Sequence, residues 1–365
     1  MPVKRFLLLG GGHAHVEVLR RLARQPLAQP TQVVLVSPRP RSLYSGMVPG
    51  IFAGHYRRAE CEIDLGPLAQ RAGAQWTESQ AVAVEADAGR VSLADGSTLG
   101  YDALSLDVGS VIASAAIPGA EVHALAVRPI EDFAAAVDRL FERARRRFLG
   151  VVVIGGGAAA VELALALQYR LASHARVSLV TGGTPPLPAF SAGARSRALR
   201  ALRRLAVRVI EDSCTEVGAR QVRLAGGERL TCDAAVLAIG ASPAPWLRGS
   251  RLQLDAAGFV ATTSTLQSVS HANVFAAGDT ASRADLAHPR SGVYAVRAGP
   301  ALALNLRCFL EGGTPQDHHP SPRALNLLAC GGRTAIASWG EWSADGRWVW
   351  WWKDRIDRGF IARYR

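Results

Sequence analysis

The chain has 365 residues, of which 49% are hydrophobic and 20% are charged, and its formal net charge is +12. This length predicts two or three domains, and the composition allows complete hydrophobic cores. The positive charge comes almost entirely from arginines spread along the chain, which argues against a nucleic-acid-binding surface, although individual arginines can still face anionic lipid or phosphate groups.

Cysteine spacing argues against two further kinds of site. The five cysteines form neither a C-x-x-C nor a C-x-x-x-x-C pair, which disfavours a metal site and a dithiol relay between sequence neighbours. Buried structural thiols in a reducing cytoplasm are the expected arrangement. The apolar run after Lys4 is too short for a signal peptide, and segment 151–167 carries Glu162 and three glycines, so we expect a soluble core there. The cysteines are Cys61, Cys214, Cys232, Cys308 and Cys330.

The first stretch that predicts a fold is segment 6–24. It begins with four apolar residues, which are typical of a buried parallel strand. Gly10 and Gly12 then indicate a tight turn, and segment 13–24 has the apolar spacing of an amphipathic helix. Such a unit begins a dinucleotide-binding βαβ motif, in which glycines let the backbone approach a pyrophosphate at the helix N-terminus. His15 stands where the motif usually has a third small residue.

A second copy of this pattern follows at segment 151–162. There Gly155, Gly157 and Ala160 fill all three small positions. In each half of the chain the glycine turn is followed by a hairpin and then by a strand that leads from an aspartate to a glycine seven residues later. This order predicts an internal repeat. The two Asp-to-Gly strands are segments 102–109 and 233–240.

Two predicted elements follow the first turn. Segment 32–36 is predicted as the second strand, and Ser37 and Arg39 stand where many such folds place a ribose-binding acid. Ser37 can hydrogen-bond the ribose, and Arg39 can hold phosphate. Segment 41–50 is predicted as a shaped loop rather than a helix, because it combines glycines, a proline and small polar groups. We expect this loop beside the reactive end of a bound cofactor, with an ordinary surface loop as the alternative.

The remaining elements of the two halves alternate strands with helices. Segment 82–102 is predicted as a hairpin with its turn at Asp95-Gly96, and segment 131–148 as a helix with arginines at its C-terminal end. In the second half we predict a strand at 176–180, a helix at 191–205 and a hairpin at 221–230.

A last apolar strand and a long helix complete this region. Segment 273–279 ends at Asp279, which is either a helix cap or a ligand to a polyol chain. Segment 291–305 is predicted as a helix whose N-terminus lies near Gly292. His318 and His319 are expected in a linker rather than a metal site, because no further ligands cluster there.

The C-terminal tail is rich in tryptophan and arginine. Ala335–Trp339 and segment 347–352 are predicted to be β-like, and segment 353–365 ends the chain. Aromatic and arginine residues together suit a membrane interface. A core strand followed by a solvated helix is the competing interpretation. We therefore expect a cytoplasmic protein whose tail can contact the cytoplasmic face of a membrane.

The two glycine turns, the two Asp-to-Gly strands and segment 274–279 resemble the pyridine nucleotide-disulfide oxidoreductases, flavoproteins with two dinucleotide-binding domains. The resemblance covers about residues 3–310. Segments 10–16, 44–50, 292–300 and 353–358 are similar to one subgroup, the type II NADH dehydrogenase-like FAD proteins that are sometimes fused to selenide, water dikinase. This chain has no kinase portion.

The resemblance implies an α/β fold with two Rossmann-like three-layer domains of the glutathione-reductase type, and a small C-terminal segment. We expect a discontinuous FAD-binding domain at 1–120 and 247–313. The NAD(P)-binding domain is expected at 121–246, and a β/helix tail at 314–365.

The resemblance also implies a set of site residues. Gly10 and Gly12 would face the FAD pyrophosphate, Asp279 would bind the ribityl or pyrophosphate region, and the helix from Gly292 would point its N-terminus at the flavin carbonyl. Glu162 and Tyr44 are the catalytic candidates, and Glu162 matches an acid that lies near the nicotinamide in relatives. The residues expected to bind FAD are Gly10, Gly12, His13, Ala14, Ser37, Arg39, Ser45, Gly46, Gly109, Ser110, Gly278, Asp279, Gly292 and Val293. Those expected to bind NAD(P)H are Gly155, Gly157, Ala160 and Gly240.

The function implied is that of an FAD-dependent NAD(P)H dehydrogenase. Hydride passes from the nicotinamide to the flavin, and electrons leave to a quinone-like acceptor. Ser37 and Thr181 replace both ribose-binding acids, which leaves NADH and NADPH both open. Two alternatives remain: oxidation of sulfide or a selenium compound at the flavin, with Cys330 as the candidate thiol, and a flavin-bound assembly protein without turnover.

Overall fold

A computed structural model describes residues 3–286 and 290–365. In chain order, the strands are β1 (Lys4–Leu9), β2 (Thr31–Val36), β3 (Arg41–Leu43), β4 (Glu62–Asp64), β5 (Ala74–Thr77), β6 (Ala81–Glu85), β7 (Arg90–Leu93), β8 (Thr98–Gly100), β9 (Ala103–Leu106), β10 (Val111–Ile112), β11 (Ala124–Ala126), β12 (Leu149–Ile154), β13 (Ala175–Val180), β14 (Arg208–Ile210), β15 (Cys214–Gly218), β16 (Gln221–Leu224), β17 (Arg229–Thr231), β18 (Ala234–Leu237), β19 (Ala241–Ser242), β20 (Val260–Thr262), β21 (Val274–Ala276), β22 (Ala281–Arg283), β23 (Asn326–Ala329), β24 (Ala335–Trp339) and β25 (Trp342–Gly346). The α-helices are α1 (His13–Arg24), α2 (Val48–Phe52), α3 (Leu65–Arg71), α4 (Ala120–His123), α5 (Ile130–Ala144), α6 (Ala158–Leu171), α7 (Ala192–Arg204), α8 (Gly292–Glu311) and α9 (Arg347–Ala362).

Two five-stranded parallel sheets form the framework. The first has the strand order β21-β9-β1-β2-β5, and the second has the order β11-β18-β12-β13-β14. In each sheet the strand before the glycine turn lies at the centre, so the helix that follows starts at the carboxyl edge of the sheet. This edge is where open parallel sheets bind ligands. The predicted α/β fold with two Rossmann-like units is confirmed.

Side-chain alternation along β1 explains the layers of the first unit. Phe6 and Leu8 point into the core on the helical side, where α1 packs against α3 and α8. Leu7 and Leu9 point to the other face, into a second core shared with the antiparallel sheet β6-β7-β8. Successive strand residues face opposite sides of a sheet, so an entirely apolar strand is buried between two layers.

The internal repeat extends to the antiparallel sheets. The hairpin predicted around Asp95-Gly96 joins β7 to β8, and the one predicted around Gly226-Gly227 joins β16 to β17. Each hairpin is extended by a third strand, β6 in the first unit and β15 in the second. The chain crosses between the units twice, and the two crossings pair as β10 and β19. The limits of the domains stay predictions.

Two predicted elements were wrong. Segment 41–50 is not a loop: it forms β3, a 3-10 turn at Ser45–Met47 and the start of α2. Pro49 lies in the first turn of α2, where its missing N–H breaks no helical hydrogen bond. Segment 347–352 is not β-like, because it begins α9. The helix buries Val349, Trp350, Lys353, Asp357, Phe360 and Ile361, a spacing of three and four residues that follows one helical face.

The tail packs on both units instead of extending away from them. β23, β24 and β25 form an antiparallel sheet, and α9 lies against all three strands. One hydrophobic cluster includes Leu8 from the first sheet, Val153 from the second, and Val349 and Phe360 from α9. The position of the tail is therefore set by the same core that holds the two units.

Candidate active site

The first glycine turn lies against the end of β9. Gly10 has a φ of +94°, and a Cβ on it would lie 2.3 Å from the carbonyl oxygen of Asp107. A Cβ on Gly12 would lie 2.2 Å from the carboxyl carbon of the same residue. Both positions require glycine because Asp107 approaches the turn so closely.

The Asp107 carboxylate binds the first turn of α1. It accepts the N–H groups of Ala14 at 2.8 Å and of His15 at 3.1 Å. Burial raises the pKa of this carboxyl to about 7, and the two hydrogen bonds only partly oppose the shift. Within the described residues, the N–H groups of Gly12 and His13 have no hydrogen-bond partner. Those two groups can bind an anion at the start of the helix.

His15 fits where the motif usually has a small residue because its ring has two partners. Nδ1 lies 2.7 Å from the carbonyl oxygen of Gly10, and Nε2 lies 2.8 Å from the hydroxyl of Ser105. Burial lowers the pKa of His15 to about 4. The neutral ring donates from Nδ1 to the carbonyl and accepts the serine proton at Nε2. These two hydrogen bonds stabilise the turn, whereas a small residue at this position would let the helix pack closely on the strand.

Aromatic rings cover the start of α1. The ring of Tyr44 stacks on that of Phe360 with centroids 4.3 Å apart, and the His13 ring lies 5.4 Å from Tyr44. Burial lowers the pKa of His13 to about 4, so its Nε2 can accept the N–H of Ser45 at 3.4 Å. Burial, and then the nearby Asp357 carboxylate, raise the pKa of the Tyr44 hydroxyl above its usual range. Tyr44 is therefore a neutral hydrogen-bonding group.

Charged and backbone groups from three strand ends meet at the same edge. Arg128 donates to the carboxylate of Asp279 at 2.5 Å and also to the hydroxyl of Ser110. Thr280 donates to the carbonyl of Gly109 at 3.1 Å. The structure thus brings together three of the predicted site residues: Gly109 and Ser110, which follow β9, and Asp279, which follows β21.

The start of α8 closes this edge. A Cβ on Gly292 would lie 3.0 Å from the hydroxyl oxygen of Ser45, and one on Gly278 would lie 2.6 Å from Asp107. Gly292 and Val293 form the first turn of α8, whose N-terminus has no side-chain cap. This helix end therefore faces the same space as Ser45 and Gly46.

The tail contributes a buried ammonium group. Lys353 is one of only two lysines in the chain, and its Nζ donates to the carbonyl of Gly46 at 2.6 Å and to Asp357 at 2.7 Å. Tyr56 donates to Asp354 of the same helix at 2.7 Å. These bonds hold α9 on segment 44–56.

The second glycine turn is built for close backbone packing on one side and open space on the other. A Cβ on Gly155 would lie 2.2 Å from the carbonyl oxygen of Ala238 and 3.2 Å from the Cβ of Ala160. A Cβ on Gly157 or Gly240 would meet no atom of the described residues within 4 Å. The N-terminus of α6 has neither a side-chain cap nor an acidic residue in its first turn. This end of the helix fits an anionic ligand.

Glu162 lies on the second turn of α6 and faces the tail. Its Oε1 accepts the N–H of Ala329 at 2.7 Å. Burial raises the pKa of Glu162 to about 7, and the nearby Lys353 ammonium opposes this shift. Lys353 therefore lies near Glu162 of the second unit while its Nζ is hydrogen-bonded to Gly46 of the first unit.

Two predicted residues have other partners. The Ser37 hydroxyl donates to the carbonyl of Arg39 at 3.1 Å. The Arg39 guanidinium donates to Asp132 at 2.5 Å and lies 3.9 Å from Glu131, both on α5. Their roles toward ribose and phosphate stay predictions.

Four residues of the site were not found from the sequence. Asp107 carried a usable signal, because it is a polar residue that ends an apolar strand next to a glycine turn. Lys353 carried a weaker signal, as one of two lysines in the chain and the residue that directly follows three tryptophans. No local pattern marks Arg128 or Phe360, which reach the site only through long-range packing.

The cysteines of the chain form no disulfide. All five cysteines are free thiols. Burial raises the pKa of Cys330 to about 12, and its sulfur lies 3.6 Å from the carbonyl of Leu328. In the part of the chain that the structure describes, no three His, Cys, Asp or Glu side chains are arranged to hold a metal ion. No helix of the described residues is long and apolar enough to cross a membrane.

Two parallel sheets with a glycine turn and an open helix N-terminus at each carboxyl edge define a protein with two dinucleotide-binding units. Residues 4–299 match the pyridine nucleotide-disulphide oxidoreductase family. The match spans well over half the chain, so the chain belongs to this family of flavin-dependent NAD(P)H oxidoreductases.

Similarity to individual proteins is more distant. The chain is 25% identical over 293 residues to the demethylphylloquinone reductase NdbB of Synechocystis sp., which covers 77% of this chain and 72% of that protein. The sulfide:quinone oxidoreductase of Aquifex aeolicus has a TM-score of 0.82 at 17% identity and covers 100% of this chain and 92% of its own. NDH2 of Plasmodium falciparum, solved with NADH, has a TM-score of 0.82 at 13% identity, with coverage of 100% and 98%. The two structures establish the fold.

We predict that Asp107 makes stability fall as pH rises through 7. The pKa of the folded carboxyl is about 7, and that of an unfolded aspartate is about 3.9. The proton-linked stabilisation is therefore complete below the unfolded pKa and is lost as pH rises through the folded one. Asp107→Asn removes this dependence, so its stability relative to wild type is expected to improve by about 2 kcal/mol between roughly pH 5 and pH 8. Calorimetric unfolding at the two pH values measures this.

Asp102→Asn is the control, because Asp102 is exposed and precedes the same strand. Its effect is expected to be equal at both pH values. If Asp107→Asn also shifts stability equally at both, the carboxyl does not titrate near neutral pH.

Proposed function

We propose that this protein binds FAD at the first glycine turn and NAD(P)H at the second, and that it reduces a quinone-like acceptor. The observation that carries the proposal is the position of Lys353, which bonds to Gly46 in the first unit and lies near Glu162 in the second. A cofactor site on each turn would thus share one polar centre. When bound, FAD supplies a ring that takes hydride from the nicotinamide and passes electrons on.

The first unit offers groups suited to each part of FAD. The free N–H groups of Gly12 and His13 suit the pyrophosphate at the start of α1. Asp279, held by Arg128, suits the hydroxyls of the ribityl chain. The open N-terminus of α8 at Gly292 and Val293 favours negative charge on a reduced flavin.

The second unit offers a complementary set for NAD(P)H. The uncapped N-terminus of α6 suits the pyrophosphate, and the open space at Gly157 and Gly240 admits the ligand. The Thr181 hydroxyl donates to the carbonyl of Thr184, so it is not a free ribose ligand. Because Thr181 stands where a ribose-binding acid would select NADH, both NADH and NADPH remain candidates.

Quinone reduction is favoured over sulfide oxidation. One relative is a demethylphylloquinone reductase, and the partly buried ring of Tyr44, which stacks on the buried Phe360, offers an aromatic face beside the site. A sulfide-oxidising site needs reactive thiolates. Cys330 is buried with a pKa of about 12, so its thiol stays protonated at neutral pH.

The direct test is anaerobic reduction of the purified protein. We expect a yellow protein with one FAD per chain, whose flavin absorbance near about 450 nm bleaches on addition of NADH or NADPH and returns on addition of a quinone. A colourless protein that takes up no FAD on reconstitution would refute the proposal.

The same experiment separates the alternatives. Bleaching by sulfide or a selenium compound, lost in Cys330→Ser, would support the oxidation of those compounds. A flavin that neither nicotinamide reduces would support an assembly protein without turnover.

Glu162 is expected to make hydride transfer depend on pH. A carboxylate near the nicotinamide stabilises the positive charge that develops on the ring as hydride leaves. Because the pKa of Glu162 is about 7, the rate of flavin reduction should rise through neutral pH. Glu162→Gln should abolish this rise and slow reduction about tenfold at roughly pH 8. Stopped-flow reduction across this pH range measures both effects.

Glu121→Gln, which changes an exposed glutamate on α4, is the matched control and should leave the profile unchanged. A Glu162→Gln enzyme that keeps the wild-type pH profile would assign the titration to another group.

The tail offers a surface for peripheral membrane contact. α9 packs on β24 and β25. The exposed tryptophans of the helix and of the two strands therefore belong to one small unit. Trp351 is 69% exposed, and the rings of Trp348 and Trp352 stack 6.5 Å apart. Exposed aromatic side chains of this kind favour the interfacial region of a bilayer. The exposed tryptophans are Trp339, Trp342, Trp348, Trp351 and Trp352.

We predict that changing Trp348, Trp351 and Trp352 together to serine lowers vesicle binding about tenfold or more, because three interfacial rings are lost. Co-flotation with vesicles that contain quinone measures binding. The control changes Val122, Phe148 and Val269, which are exposed elsewhere, to serine. Equal binding by both triple variants would exclude the tail as the contact.

A further inference from the structure

A cavity lies where α2, the end of α6 and the tail meet. Its volume is about 790 Å³, which is within the range of small-molecule sites, roughly 300–1,000 Å³. His55 follows α2, Tyr169 and Arg170 lie at the end of α6, and Thr334 lies between β23 and β24. Residues from all three parts of the chain therefore form one concave surface.

The lining of this cavity is strongly basic. Arg170, Arg333 and Arg347 all contribute to it, and its lining includes no Asp or Glu. Arg204 adds a fourth positive charge next to it, because it donates to the hydroxyl of Thr334 at 3.3 Å. The nearest acid along the chain from Arg347 is Asp345, which is already paired with two other arginines of α7.

Two of the three lining arginines lie over aromatic rings. The Arg333 guanidinium lies 5.5 Å from the ring centroid of Trp350, and that of Arg170 lies 5.8 Å from Phe141. Neither of them nor Arg347 makes a salt bridge within residues 3–286 and 290–365. Their charge is therefore not compensated by the described residues, and the ring contacts limit the orientations of the Arg170 and Arg333 guanidinium planes.

The cavity is separate from the candidate active site. Arg170 is twelve residues after Ala158, where α6 begins. At about 1.5 Å per residue, it lies roughly 18 Å along the helix from the second glycine turn. The cavity is therefore distant from the second glycine turn, and its lining shares no residue with those expected to bind either dinucleotide.

We propose that this cavity binds a phosphate-bearing anion, and that Arg170, Arg333 and Arg347 hold its phosphate group. Guanidinium groups bind phosphate oxygens through paired hydrogen bonds, and several of them together favour a multiply charged anion. The volume exceeds that of phosphate alone, so the rest of the ligand is either a phosphorylated small molecule or the headgroup of a phospholipid. This inference does not rest on the proposed flavin reaction.

The test compares two triple variants of the full-length protein as purified. The cavity variant changes each lining arginine to glutamine. The control variant removes the same charge from exposed arginines outside the cavity. Both sets lie on the surface, so the midpoint of thermal unfolding should match that of wild type. The cavity set is Arg170→Gln, Arg333→Gln and Arg347→Gln, and the control set is Arg146→Gln, Arg229→Gln and Arg248→Gln.

Two binding measurements distinguish the sources of phosphate. Calorimetric titration with inorganic phosphate at constant ionic strength tests a soluble ligand. Co-flotation with phosphatidylglycerol vesicles, compared with phosphatidylcholine vesicles, tests a headgroup. In at least one of the two, the cavity variant should bind about tenfold or more weakly than wild type, and the control variant should not.

Loss in the phosphate titration would identify a phosphorylated small molecule, and loss only with phosphatidylglycerol would identify a lipid headgroup. The proposal is overturned if neither measurement separates the two variants, since binding would then reflect only the net charge of the protein. It is also overturned if wild type binds neither probe.

Discussion

The bond between the Asp107 carboxylate and the first turn of α1 determines the geometry of the first glycine turn. The carboxylate reaches the N–H groups of Ala14 and His15 only because Gly10 and Gly12 have no side chains to block it. The glycines are thus required by an internal contact, in addition to the role toward a ligand that is proposed for them. What remains for a dinucleotide is the outer pair of N–H groups, beside which Asp279 and the start of α8 converge.

The two units use the same motif with different electrostatics. Neither α1 nor α6 has a capping side chain or an acid in its own first turn. The first turn of α1 is nevertheless bound by the buried Asp107 carboxyl, which follows β9. An anion on the first turn therefore lies near Asp107, whose pKa of about 7 lets it take up a proton. The second turn offers its helix N-terminus without such a neighbour. The two turns therefore differ in the electrostatic environment that they offer an anion.

The tail joins these units into one site. Lys353 is held by Asp357 and by the carbonyl of Gly46, and Phe360 stacks on Tyr44. The same helix presents tryptophans to solvent on its opposite side, so one amphipathic element carries both a contact with the candidate site and the surface proposed for membrane contact. Arg347, at the start of α9, adds the basic cavity to this unit.

The repeat, the two parallel sheets and the helices after each glycine turn could be predicted from the amino-acid order, because short-range patterns of apolar and glycine residues specify them. The predictions for segments 41–50 and 347–352 were wrong, because their proline and aromatic residues are atypical of helices and tertiary packing stabilises the helices there. The contacts of Arg128 with Asp279 and of Lys353 with Gly46 became visible only in the folded chain. These pairs are separated by 151 and 307 residues, and contacts at such a distance depend on how layers pack, which local pattern does not encode.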